Sequence, residues 1–177
     1  MKVVKISSEF LKVRYEWLNS KEIYSYMNIR YPMSYEDMTS WYERNKNNDT
    51  RVDFIFLEGD QPLAMTGLTN LDFENGLIEF YIMVGPNSQG KGIGEIATQW
   101  TLNYAFLCFN VNKVYSYTNG FNKRVNYMLE KIGFKLEGTL RKHKFKNGEY
   151  IDRSFYGILK EDWLVQDYKS DTIYLHI

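Results

Sequence analysis

Gln89-Gly90-Lys91-Gly92-Ile93-Gly94 sets three glycines between an apolar stretch, residues 77–84, and an amphipathic stretch that follows. Glycine has no Cβ, so its backbone turns tightly and lets a ligand come close to its amide. Where such a bend opens a helix, the first N–H groups are unpaired and carry a partial positive charge. That combination seats a phosphate or a diphosphate. A second reactive residue lies just upstream: Glu79 is the only charged residue within 77–84. A carboxylate in a central strand is costly unless it is paired or protonated. A buried carboxyl moves into the range that a general base uses at neutral pH. Base chemistry and an ion pair with an arginine at the sheet's edge are therefore equal readings of Glu79.

Three kinds of glycine loop compete for the bend. A Walker A loop needs G-x-x-x-x-G-K-[ST], and the chain gives Gly85, Gly90 and Lys91 followed by Gly92. The hydroxyl that holds magnesium is missing, which argues against nucleotide hydrolysis. A dinucleotide loop needs G-x-G-x-x-G near the start of a βαβ unit. Here the spacing is G-x-G-x-G, halfway along the chain. The run does resemble Q/R-x-x-G-x-G/A, the acetyl-coenzyme A signature of the GNAT superfamily of N-acetyltransferases, with Gln89, Gly92 and Gly94 at the fixed positions.

Downstream, Asn122-Lys123-Arg124-Val125-Asn126-Tyr127-Met128-Leu129-Glu130-Lys131-Ile132-Gly133-Phe134 resembles a second landmark of that superfamily, N-x-x-(A/S/V)-x-x-x-(Y/L)-E-K-x-G-F. Read from the residues alone, this is a short helix. Val125, Met128, Leu129 and Ile132 form one apolar stripe, and Gly133 ends it in a left-handed turn. The resemblance covers roughly residues 1–165.

The resemblance implies an acetyl-coenzyme A-dependent acetyltransferase. Amides of Gly90, Lys91, Gly92, Ile93, Gly94 and Glu95 would wrap the coenzyme diphosphate. Backbone groups of Ile82, Met83 and Val84 would hold the pantetheine arm and the acetyl carbonyl, with an oxyanion-binding amide at a bulge in this strand. Asn122 would touch the cofactor near its pantetheine, and Lys91, Lys123 and Arg124 would meet its phosphates. For the last two a plain solvated lysine or arginine is an equal reading. The chemistry needs alignment of an amine, proton removal and oxyanion stabilisation, with no covalent enzyme intermediate. Many members carry a tyrosine seven residues after the motif asparagine to protonate the thiolate. Here that position is Leu129, and Tyr127 points to another face. Tyr81 and Tyr117 are the pocket-side candidates for the acid. Cys108 falls on the apolar stripe of the helix after the loop and is expected in the core, not as a nucleophile.

These residues need a frame to position them. Alternation and turn signals place strands at 2–6, 52–58, 63–71, 77–84, 113–118, 134–145 and 150–159. Gly59-Asp60 and Asn147-Gly148 make hairpin turns. The run 77–84 is almost continuously apolar, as in a strand buried on both faces. Alternation puts Glu79, Tyr81 and Met83 on one of those faces. Helices are expected after Ser7 or Ser8 as caps, up to about Met27. Another starts at Ser34, with Asp37 completing an approximate capping box. The helix after the glycine loop carries Ile93, Ile96, Ala97, Trp100, Tyr104, Ala105 and Cys108 on one stripe. The order predicts an α+β domain with one mixed, mostly antiparallel sheet and helices on both faces. The resemblance adds a V-shaped splay between two parallel strands, 77–84 and 113–118.

Composition bounds the rest. The 177 residues suit one domain, 1–177. Lys plus Arg and Asp plus Glu both number 22, so no global basic field recruits nucleic acid or an anionic membrane. One cysteine permits no internal disulfide and suits a reducing cytoplasm. No charged apolar leader opens the chain and no run approaches a membrane span. His143 and His176 lie far apart, so no metal is expected. The stretch 166–177 has no clear period.

The acceptor is legible only as a class. Glu16-Trp17-Leu18-Asn19, then Ile23 and Met27, resembles W-x-N-x-x-x-I-x-x-(Y/F)-M. That pattern occurs in ribosomal-protein N-terminal acetyltransferases and in aminosugar N-acetyltransferases acting on nucleotide-linked sugars. Early aromatics, among them Trp17, Tyr24, Tyr26, Tyr31, Tyr35, Trp41 and Tyr42, suit a ring-shaped substrate. The partner is thus expected to be a small-molecule amine, a nucleotide aminosugar foremost. A peptide N-terminus and a catalytically silent acetyl-CoA sensor are the alternatives, and homodimerisation stays open.

Overall fold

The structure, a computed structural model, describes residues 1–29 and 31–165. The stretch 166–177, with His176, lies outside the described residues. Strands are β1 (Lys2–Lys5), β2 (Val52–Glu58), β3 (Gln61–Asp72), β4 (Leu77–Val84), β5 (Lys113–Asn119), β6 (Lys135–Lys146) and β7 (Glu149–Leu159). Helices are α1 (Leu11–Leu18), α2 (Lys21–Tyr24), α3 (Tyr35–Asn45), α4 (Ile93–Cys108), α5 (Lys123–Ile132) and α6 (Lys160–Leu164). One sheet runs β1-β2-β3-β4-β5-β7-β6. Only β4 and β5 pair in parallel; the other neighbours are antiparallel. This is the mixed, mostly antiparallel sheet that the element order predicts.

Alternation sorts the strand residues between two cores. Phe54, Phe56, Ala64, Leu68, Ile78, Phe80 and Val114 face α4 and α5, where Ala97, Trp100, Ala105, Leu129 and Ile132 meet them. Ile55, Leu57, Met65 and Met83 face the other way, onto Leu11, Trp17, Leu18, Ile23 and Met38 of α1–α3. Local signals act as read: Ser34 and Asp37 form a reciprocal capping box, and Gly133 closes α5 at φ 108. Asn147 and Gly148 turn the last hairpin at φ 51 and 87.

Three expectations need correction. Cys108 is exposed. Cys108 is the last residue of α4 and lies past its buried positions, which end at Ala105 and Phe106; Ile96 is likewise 43 % exposed. Ser7 does not cap a helix, because its hydroxyl donates to Glu9. β4 is not buried on both faces. Ile78 and Phe80 are enclosed by α4 and α5, whereas Glu79 and Tyr81 are half-buried. The α1–α3 layer buries Met83 but leaves the sheet partly open beside Glu79.

Candidate active site

The parallel ladder between β4 and β5 holds for three pairs, Leu77 with Lys113, Ile78 with Val114 and Glu79 with Tyr115. Beyond them each strand keeps only its outer partner. β4 stays on β3 as far as Val84 opposite Ala64, and β5 stays on β7 as far as Asn119 opposite Arg153. The inner edges of 80–84 and 116–119 therefore diverge without ladder partners. Such open N–H and C=O groups are a template for an extended ligand. Ile82, Met83 and Val84 lie on this edge. The expected bulge is not in β4, whose register with β3 is regular from Glu79 to Val84. The irregularity lies on β3 between Thr69 and Asp72, where Asn70 sits at φ 54. One extra residue on the neighbour, not on β4, brings the Asn70 amide against Glu79.

At the mouth of the V, Gly90 and Gly92 take φ 81 and 78, a left-handed backbone that glycine reaches at no steric cost. Gly92 is the N-cap of α4 and supplies no side-chain acceptor, so the amides of Ile93 and Gly94 remain available, while that of Glu95 donates to the Gly92 carbonyl at 3.1 Å. Gly94 matters for space: a Cβ there would be 3.1 Å from Met128 Sδ and 3.3 Å from Val84 Cγ2. Its absence lets the first turn of α4 settle on β4 and α5. Gln89 Oε1 accepts from Arg124 Nη1 at 3.3 Å, which sets that guanidinium beside the bend. Glu95 pairs with Lys131 at 2.7 Å. Lys91 is exposed. Lys123 instead lines a cleft between α5 and the β6–β7 hairpin, with Tyr127 and Tyr150. Asn122 caps α5 through Oδ1 at 3.3 Å from the Val125 amide, leaving its NH₂ to donate elsewhere.

On the α1–α3 side of the V, Glu79 stands at the last paired rung. Its Oε2 accepts from Asn70 Nδ2 at 2.7 Å. Among the described residues it makes no ion pair, so the arginine-pair reading of Glu79 is replaced by an amide contact. Tyr115, Tyr117 and Phe155 form an aromatic floor with centroids 4.9–5.9 Å apart. Burial, then the Glu79 charge, raises the Tyr115 phenol above its usual range. The end of α2 and the turn after it, residues 24–27, are tied to β5 and β6 on this side. Lys146 Nζ donates to the carbonyls of Tyr24 and Met27 at 2.8 and 2.9 Å, and Asn119 Nδ2 donates to that of Tyr26 at 2.9 Å.

Tyr81 is engaged elsewhere. Its hydroxyl donates to Asp53 Oδ1 and accepts from Arg14 Nη1 at 3.1 Å. Burial pushes the phenol up to about 12, against the pull of Arg14. A proton held that firmly, on a hydroxyl already bonded to a carboxylate, suits structure better than acid catalysis. Arg51 forks onto Asp53 at 2.6 and 2.9 Å, and Trp41 covers Arg14 at 4.1 Å and Arg51 at 5.0 Å. Sequence reasoning missed this network. The signal was present in Asp53, the one charged residue inside an otherwise apolar strand, which is the argument that singled out Glu79. Leu129, at the position of the missing tyrosine, is fully buried in the core.

The early tryptophan pattern also finds its place. A Cβ on Gly85 would lie 2.5 Å from Trp17 Cζ2, so the indole abuts the end of β4. Asn19 brackets Met33, donating to its carbonyl and accepting from its amide, both at 3.0 Å. Ile23 is buried. These residues dock α1 and α2 beside the V.

A family model for the acetyltransferase (GNAT) domain matches residues 5–135. A spermidine N(1)-acetyltransferase of Vibrio cholerae is 26 % identical over 147 residues, 82 % of this chain and 85 % of that protein. An uncharacterized N-acetyltransferase of Bacillus subtilis, YokL, is 30 % identical over 136 residues, 76 % of each chain. The crystal structure of a Vibrio cholerae spermidine N-acetyltransferase in complex with CoA and spermine superposes with a TM-score of 0.88 at 23 % identity, covering 92 % of this chain and 97 % of that one.

Proposed function

Because this chain belongs to the GNAT acetyltransferase family, we propose that it transfers an acetyl group from acetyl-coenzyme A to the primary amine of a small molecule, working as one domain. The observation that carries this reading is the splay of β4 from β5 after Glu79, with a glycine-opened helix N-terminus at its mouth. The diphosphate rests on amides of 90–95, with Arg124 beside them. The pantetheine arm adds to the free edge of β4 along Ile82, Met83 and Val84, and the Asn122 NH₂ reaches it from the other arm. The acceptor enters from the α1–α3 side. Its nitrogen attacks the thioester carbonyl, the C–S bond breaks, Glu79 takes a proton from nitrogen, and the sulfur leaves and is protonated from water. Asn70 keeps the Glu79 carboxylate oriented. The names of spermidine-acetylating relatives support an amine acceptor.

Titration calorimetry with acetyl-coenzyme A, followed by thiol release with a panel of primary amines, tests the proposal. Binding with amine-dependent release is expected. Binding without release on any amine favours the sensor alternative, and no binding removes the cofactor site altogether.

A further inference from the structure

On the α1–α3 face beside the V stand a carboxylate, from Glu79, and a guanidinium, from Arg153, with Lys113, 5.6 Å from the Phe155 ring centroid, ion-paired to Glu137 beyond them. Arg153 sits on β7 opposite Asn119, and its guanidinium reaches back to lie 4.4 Å from the Tyr117 ring centroid. It is half-buried. Among the described residues it has no hydrogen bond and no ion pair, and its Nε is enclosed without an acceptor. Next to it Asn119, 2 % exposed, leaves Oδ1 without a donor, an acceptor for a ligand N–H or O–H and not for the anion. Unsatisfied buried polar groups are costly and rare, and an arginine fork left open is matched geometrically to a carboxylate or phosphate. Burial lowers the guanidinium pKa while the Glu79 charge, acting through space, opposes that; arginine stays protonated in either case. The step from Tyr115, opposite Glu79, to Tyr117, under Arg153, is two residues, about 7 Å.

Resting on the transferase reading above, we propose that Arg153 is an anion anchor: the acceptor carries a carboxylate or a phosphate in addition to the amine that it presents to Glu79. An amine-and-anion molecule satisfies both charges across the aromatic floor. A polyamine, cationic along its length, brings positive charge to a guanidinium that has no counter-ion among the described residues.

Matched acceptors decide the matter. Thiol release from acetyl-coenzyme A is measured on the full chain with glucosamine and glucosamine 6-phosphate, with β-alaninamide and β-alanine, and with spermidine. In at least one pair the anionic member is expected to exceed its neutral counterpart by about ten-fold or more in kcat/KM, as a charge-assisted pair provides. Which pair separates tells phosphate from carboxylate. Arg153→Met is expected to erase the difference through KM, with acetyl-coenzyme A affinity and thermal midpoint unchanged. If that variant does not fold, Arg153→Lys, which keeps the charge without the fork, is expected to shrink the difference. Equal turnover within both pairs, a preference that survives the Arg153 variants, or release with spermidine alone would overturn the anchor and leave the transferase standing. No release with any amine would overturn both.

Discussion

The ring of Tyr81 fills the space that a side chain on Gly67 would need: a Cβ there would overlap Cε1 of the tyrosine and lie 2.7 Å from Asp53 Oδ1. Asp53, Gly67 and Tyr81 are cross-strand neighbours on β2, β3 and β4. The central glycine lets the outer two side chains meet over it. Gly67→Ala is therefore expected to destabilise the fold by about 1–3 kcal/mol, the usual cost of overpacking. Denaturant midpoints measure it. In a Tyr81→Ala background most of that cost should vanish, because the overlapping ring is gone. Additive losses would mean the ring and the glycine are independent.

The same tyrosine sets a pH dependence. Its phenol is raised from an ordinary 10.0 to about 12. A group with a raised folded-state pKa contributes stability that is complete below its unfolded value and declines as pH climbs through the folded one. Unfolding free energy should thus fall between pH 10 and about 12, and Tyr81→Phe should flatten that slope. Near neutral pH the proton never leaves, so the pH–rate profile of Tyr81→Phe should match that of the unaltered enzyme. A lost basic or acidic limb in that profile would return Tyr81 to the chemistry.

Glycine spacing and strand alternation carried much of this site in plain sequence. Gly92 and Gly133 are left-handed where the helix boundaries demand it, and Glu79, Tyr81 and Met83 share a face because strand side chains alternate. Long-range partnerships were not legible. Nothing in the sequence separates Asn70 from an arginine as the Glu79 partner, because the contact depends on an irregularity in β3 that only pairing reveals. Arg14 and Asp53 are distant in sequence from Tyr81: Arg14 meets it only through the docking of α1 onto the sheet, and Asp53 only through the pairing of β2, β3 and β4. Cys108 was misplaced because a hydrophobicity pattern does not show where a helix runs past the layer it packs on: burial along α4 ends at Ala105 and Phe106, two residues before Cys108.

Glu79 stands where the two parallel strands part, on the side open to an acceptor, with its carboxylate held by Asn70 at 2.7 Å. Glu79→Gln keeps the shape and that amide neighbour's reach while removing the proton acceptor. Turnover is expected to fall by ~10² or more, with acetyl-coenzyme A affinity unchanged. Asn70→Ala should cost less, since it loosens the carboxylate without deleting it. Steady-state kinetics alongside calorimetry separate the two effects. Full turnover in Glu79→Gln, with the pH profile intact, would leave the glutamate a purely binding role.

In the proposed coenzyme site, Gly94 links the start of α4 to packing. Its Cα faces Met128 on α5 and Val84 at the end of β4, and a Cβ would approach both at 3.1 and 3.3 Å. The methionine tail is flexible, so Gly94→Ala should be absorbed with a small loss of stability. A branched side chain has no such room. Gly94→Val must lift the first turn of α4 away from β4, and with it the amides proposed to seat the diphosphate. Acetyl-coenzyme A affinity is expected to drop by about ten-fold or more, the scale of one charge-assisted contact. The acceptor groove, on the opposite face of the sheet, should keep its structure. Calorimetry on the two variants checks the order. Equal affinity in Gly94→Val and the unaltered protein would show that the helix start does not seat the coenzyme.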